Sequence, residues 1–249
     1  MLWWPEPGRS PSAASVGAVL AAIALTPSAP VLVPELAGAA AGEVADFSAA
    51  ARAAAATLPQ RWVAIGVGPA DQVFEPDTRG TFAGYGVDLP VALSAQASPR
   101  ISALPLCALL AGWLRGQANP QAVLQVRVYP GDLDADAALA RGRQLRAAID
   151  AASDPVGVLV VADGAHTLTQ SAPGGYDPAS EAVQAELDHA LANGDAAALT
   201  QLADGIVGRV AYQVLAGLAP RPAAAVELAR GAPYGVGYFV GTWDPGTRL

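Results

Sequence analysis

Lysine is missing from this chain, and all 14 basic residues are arginine. A P-loop needs a lysine for its phosphates, and a Schiff-base active site needs a lysine amine. Both chemistries are therefore excluded. Cysteine is nearly missing too. The single Cys107 rules out an intrachain disulfide and a cysteine-based zinc site. It sits in the apolar run Leu104–Trp113 and reads as a small buried residue. Histidine stops at two, His166 and His189. Charged residues make up only 14% of the 249, against 53% hydrophobic ones, so a sizeable core is expected and wholesale disorder is not. The net charge is −8 and no cluster of arginines stands out, which argues against nucleic acid and anionic membranes as partners. Val16–Leu25 is too short to span a bilayer, and Pro27, Pro30 and Pro34 follow it closely. A cytoplasmic protein is expected. It would have a disordered leader over Met1–Ser15 and a single α/β domain over residues 16–249.

Two familiar motifs are absent as well. No G-x-S-x-G elbow supports an α/β-hydrolase, and no H-E-x-x-H supports a zinc protease. Gly66-Val67-Gly68-Pro69-Ala70-Asp71 begins like a dinucleotide loop but lacks the third glycine. Pro69 also removes a backbone donor where pyrophosphate would sit, so a tight turn is the better reading.

What is present alternates. Apolar, β-rich runs at Val16–Leu25, Arg61–Val67, Leu124–Val128, Val156–Ala162 and Gly235–Val240 predict strands. Between them, Gly38–Leu58, Ile101–Gln117, Asp134–Ala152, Ala179–Ala192, Ala196–Leu218 and Ala223–Arg230 predict helices. Phe74–Leu93 reads as an irregular excursion. The alternation predicts a mostly parallel central sheet with helices on both faces.

Val156–Asp177 carries the strongest functional signal. Its continuous apolar start predicts a strand buried on both faces. The run ends in Asp163-Gly164-Ala165-His166, and the carboxyl ends of such strands are where ligands bind in open α/β sheets. Pro173-Gly174-Gly175 follows as turn chemistry, and Asp177-Pro178 as a helix start. His166 is the candidate catalytic group. Ser28, Gly68, Asp71 and Asp163 follow other strands or the same one and are candidates to line a shared cleft. Glu186 and His189 would share a helix face, but one Glu-x-x-His is half of a di-iron arrangement, and His189 reads as solvated.

Pro27-Ser28-Ala29-Pro30 followed by Leu32-Val33-Pro34-Glu35 resembles the opening of the class III extradiol ring-cleavage dioxygenases, of the protocatechuate 4,5-dioxygenase β-subunit type. Asp163–Asp177 resembles that family's second signature. Glu227–Tyr238 resembles the C-terminal segment of an alanine-rich branch. The resemblance implies the family's α/β fold. It also implies a site where two histidines and a glutamate hold Fe(II), with a third histidine as acid/base. That scheme needs three histidines and this chain has two. The resemblance places Ser28 and Gly68 where iron-ligating histidines would stand, His166 at the acid/base position, and Glu227 at the carboxylate. It therefore implies an incomplete iron site: no metal ligand set, no cofactor expected, no ordinary ring cleavage, and a retained cleft for an aromatic or other small molecule. The alternatives are an enzyme of another class using His166 with Asp71, Asp163 or Glu227 as acid and base, or a non-catalytic structural or interaction protein.

Overall fold

The computed structural model describes residues 20–246. The expected leader over Met1–Ser15 and the first residues of the strand expected from Val16 lie outside them. In chain order the strands are β1 (Leu20–Thr26), β2 (Arg61–Gly68), β3 (Gln72–Phe74), β4 (Arg79–Thr81), β5 (Pro90–Ala92), β6 (Val123–Pro130), β7 (Val156–Val161), β8 (Ala224–Gly231) and β9 (Tyr238–Asp244). The α-helices are α1 (Pro34–Ala37), α2 (Ala45–Ala56), α3 (Leu106–Ala118), α4 (Ala135–Asp150), α5 (Ala179–Asn193) and α6 (Arg209–Leu218).

Seven strands form one sheet in the order β3-β6-β2-β7-β1-β9-β8, and β4 and β5 form a separate hairpin. The parallel arrangement expected from the sequence holds for the four central strands, β6, β2, β7 and β1. At the flanks, β3 pairs antiparallel with β6, and β9 pairs antiparallel with both β1 and β8. The sheet is therefore mixed.

The central strand β7 is buried at all six positions. Its side chains alternate between two cores, as the pleat requires. Val158 and Val160 pack with Ile23, Leu25, Val63 and Ile65 beneath α4, α5 and α6. Leu159 and Val161 pack with Trp62, Ala64, Val126 and Val240 beneath α2 and α3. Helices thus cover both faces. On the first face α4 and α6 meet through glycines. A Cβ on Gly142 would overlap the Val214 carbonyl oxygen, and one on Gly217 the Leu139 carbonyl oxygen. On the second face, a Cβ on Gly66 would come within 2.5 Å of Cys107 Cβ.

Several expected elements change. The helix expected over Gly38–Leu58 starts only at Ala45, after a 3-10 turn at Gly38–Gly42, and the one expected over Ile101–Gln117 only at Leu106. Ala223–Arg230 is not a helix but the edge strand β8, paired with β9 from Ala224 to Gly231. Its alanines favour a helix, and tertiary pairing outweighs that weak local preference. The expected helix over Ala196–Leu218 is broken: a 3-10 turn at Ala198–Gln201 and an irregular stretch precede α6. The last strand begins at Tyr238 rather than Gly235. The freed segment Gly235–Gly237 instead pairs with the loop after β7. Gly237 N–H donates to Ala165 O at 2.8 Å and Leu168 N–H to Gly235 O at 3.1 Å.

Candidate strand-end site

Parallel neighbours β1 and β7 deliver their exit loops to the same edge of the sheet. The chain leaving β1 goes on to α2 on one face, and the chain leaving β7 goes on to α5 on the other. In open α/β sheets ligands bind where neighbouring connections part to opposite faces in this way. Asp163 and Ser28 meet there: Ser28 N–H donates to Asp163 Oδ1 at 2.8 Å, across 135 residues of sequence.

The Asp163 loop is fixed from three sides. Gly164 N–H donates to Gly237 O at 2.8 Å, and Gly208 N–H to Asp163 O at 2.8 Å. The third tie comes from α5. Gln184, buried, accepts the Ala165 N–H on Oε1 at 2.8 Å and donates through Nε2 to Asp188 Oδ1 at 2.8 Å. There is no room for a side chain at Gly164 or Gly237, since a Cβ on either would overlap the Gln184 amide. At the far end of α5 the chain turns through Gly194, whose φ of 66° suits a glycine cap.

Burial dominates the electrostatics. It pushes the Asp163 carboxyl up from 3.8 to about 7, and the Ser28 N–H only partly opposes it. The Tyr212 and Tyr238 hydroxyls are both pushed up, by their own burial first and then by the nearby Asp163 charge. Tyr212 Oη donates to Ala162 O at 2.9 Å. Tyr238 Oη has no hydrogen-bond partner among the described residues. Its ring packs edge-on against Phe47, with centroids 5.7 Å apart.

His166 lies three residues beyond Asp163 and is partly buried. The Pro173-Gly174-Gly175 turn folds back over it. Gly174 N–H donates to His166 O at 3.0 Å, and a Cβ on Gly174 would come within 2.7 Å of His166 Cδ2 and Nε2. Nδ1 of the ring is enclosed without a partner among the described residues. Asp177 lies just before α5, whose cap position is Pro178, and its Oδ1 accepts the Ala179 N–H at 3.0 Å. Thr167 Oγ1 and Ser180 Oγ, 2.5 Å apart, tie the loop to the same helix.

Of the other expected residues, Asp71 and Gly68 lie away from these loops, and Glu227 comes only near the α5 side, where burial first and then its charge raise the Asp188 pKa. Asp71, after β2, is ion-paired with Arg141 at 2.6 Å, both side chains being more than 40% exposed. Gly68 pairs with Pro130 on the β6 side of β2, and a Cβ there would come within 2.5 Å of Val128 Cγ1. Glu227 stands on β8 opposite Gly241, whose other neighbour is Leu25. It is thus two strand spacings from β1, roughly 10 Å, and its carboxylate pairs with Arg230 at 3.4 Å. The expectation that Ser28, His166 and Glu227 line one cleft is corrected at Glu227, because the segment is an edge strand rather than a helix leading to the sheet top. His189 lies on α5 and makes contacts with Asn193.

Sequence reading missed Gln184, Tyr212 and Tyr238. A glutamine six residues into a polar helix carries no local sign that it anchors a loop. Tyr238 could have been suspected from its place in the C-terminal segment that carries the family resemblance.

The side chains present do not fit an Fe(II) site of two histidines and a carboxylate. Serine stands at one expected ligand position, glycine at the second, and the candidate glutamate pairs with arginine elsewhere. Among the described residues no three His, Cys, Asp or Glu side chains are grouped to hold a metal ion. No helix among the described residues is long and apolar enough to cross a membrane.

No family model matches this chain, and no curated protein matches it. Among solved structures, the crystal structure of uncharacterized protein JW3007 from Escherichia coli K12 is similar, with a TM-score of 0.53 at 10% identity. The match covers 90% of this chain and 99% of that one. At that identity the likeness concerns the fold alone.

Proposed function

We propose that this protein is a class III extradiol dioxygenase-like protein without the family's iron ligand set, and that its strand-end crevice binds a small phenolic molecule. The observation that carries the reading is the proximity of the Asp163 carboxyl and the Tyr238 hydroxyl at the end of β7. A carboxyl with a pKa near 7 sits at the end of the central strand, electrostatically coupled to an unpartnered tyrosine hydroxyl. An imidazole nitrogen without a partner follows three residues later. A phenol hydroxyl suits this set, since it donates to a carboxylate and accepts from a tyrosine. Supporting it, Ser28 and Asp163, one from each of the first two segments quoted for the resemblance, are hydrogen-bonded to one another.

A second reading is favoured by Asp163 itself. A carboxyl titrating near neutrality is poised for general acid–base work. Asp163 would take a proton from a bound hydroxyl and return it, with Ser28 N–H holding the ionised form in place.

The test is a titration with catechol followed by amide NMR of the whole chain. Shifts are expected at Ser28, at Asp163–Thr167 and at Tyr238. Shifts confined to other residues would overturn the placement. Anaerobic loading with Fe(II) followed by oxygen should give no ring-opened product, and stoichiometric cleavage would overturn the claim about the ligand set.

A further inference from the structure

A cavity of about 290 Å³ lies between the β4–β5 hairpin and α3, on the face of the sheet opposite α5 and α6. Its lining includes Glu35, Arg79, Leu89, Val91, Trp113 and Arg115. Apart from Glu35, on α1 after β1, its lining lies outside the strand-end loops.

Arg115 is the unusual member. It is 6% exposed, yet it has no carboxylate partner among the described residues. Its Nε donates to Ala92 O at 2.8 Å, and its Nη1 to Pro120 O at 2.6 Å and Ala122 O at 3.2 Å. Those bonds explain it as a clamp on the loop after α3, and they leave Nη2 unused. Arg79 adds a second guanidinium whose Nε is enclosed without a partner among the described residues. The Trp113 indole N–H likewise has none. Glu35 is the one carboxylate in the lining and is not ion-paired with either arginine. The cavity thus holds two cations to one anion in a chain whose net charge is −8. Burying a charge is costly unless it is paired, and neutral carbonyls compensate a guanidinium only in part. Burial accordingly lowers the Arg115 pKa. Leu89, Val91 and the Trp113 ring supply apolar wall.

We infer that this cavity binds a small organic carboxylate, held by the Arg79 and Arg115 guanidinium groups with its apolar body against Trp113, Leu89 and Val91. Planar guanidinium forks match carboxylates, and a lining that holds both arginine and an indole suits a flat, anionic ligand. The inference does not depend on the strand-end reading.

Benzoate is the probe, titrated calorimetrically into the full chain, with inorganic phosphate as the comparison. Wild-type protein should bind benzoate, and Arg79→Gln should weaken it by about tenfold or more. The Arg79 side chain makes no hydrogen bond or ion pair with another described residue, so Arg79→Gln should leave the unfolding midpoint unchanged. Arg141→Gln, outside the cavity, should bind as wild type does. If Arg79→Gln fails to fold, Arg79→Lys keeps the charge, removes the fork, and should weaken benzoate by roughly fivefold. No benzoate binding, equal affinity in the foldable Arg79 variant, or phosphate binding as tightly as benzoate would each overturn the assignment.

Discussion

Replacing Asp163 by asparagine should change how stability depends on pH, and the structure sets the sign. Asparagine keeps an Oδ1 acceptor for the Ser28 N–H, now 2.8 Å from the carboxylate, and removes the ionisable proton. In the folded chain the carboxyl titrates near 7, against 3.8 ordinarily. Below pH 3.8 both folded and unfolded chains hold the proton, and ionisation contributes nothing. Between 3.8 and about 7 the unfolded chain releases it while the folded chain keeps it, so stability falls as pH rises. Above that window both are ionised and the full cost remains. A rise of about three units at ~1.4 kcal/mol each bounds the cost on the order of 4 kcal/mol. Partial solvent access to Asp163 makes that a ceiling. Urea denaturation at pH 4.5 and at pH 8, followed by tryptophan fluorescence, measures the difference between variant and wild type. Trp62 and Trp243 are fully buried and report the transition. The variant should gain a few kcal/mol relative to wild type between the two pH values. A difference that stays constant, or that moves in favour of wild type at high pH, would refute the reasoning.

Other expectations rest on single contacts. Gln184→Ala strands the buried Ala165 N–H and removes the tie to Asp188, so it should cost about 1–3 kcal/mol in urea denaturation. Gly142→Ala forces a methyl into the Val214 carbonyl where α4 and α6 touch, and should cost about 3 kcal/mol or prevent folding. Cys107 is buried and its thiol is pushed up to about 12 by that burial. Iodoacetamide at pH 8 should label it only in denaturant. Rapid labelling of the native chain would show that the α3 packing is wrong.

The central strands were legible because burial on both faces writes itself as an unbroken apolar run. Arg61–Val67 and Val156–Ala162 match β2 and β7 to within one residue. Helix α4 was legible from its amphipathic pattern over Asp134–Ala152, and Asp134 caps it, accepting the Ala137 N–H at 2.8 Å. The edges were not. Ala223–Arg230 has helix-forming residues and becomes a strand because β9 offers it a partner, which no local pattern records. That error also misplaced Glu227. At the site, Asp163 and His166 were legible as a charged residue and an imidazole ending a buried strand. The pairing of Asp163 with Ser28 was not, since it depends on β1 and β7 being neighbours. Nor was the Gln184 anchor, whose role exists only once α5 lies against the loop.

The most direct test of the strand-end site is calorimetric titration of catechol into wild type, Asp163→Asn and Tyr238→Phe at pH 7. The account predicts measurable binding to wild type and about tenfold weaker binding to each variant, since each removes one hydrogen bond to a hydroxyl, charge-assisted at Asp163. Tyr238→Phe should leave the unfolding midpoint nearly unchanged, because its hydroxyl bonds no other described residue. Equal affinity in all three proteins, or no binding to wild type, would contradict it.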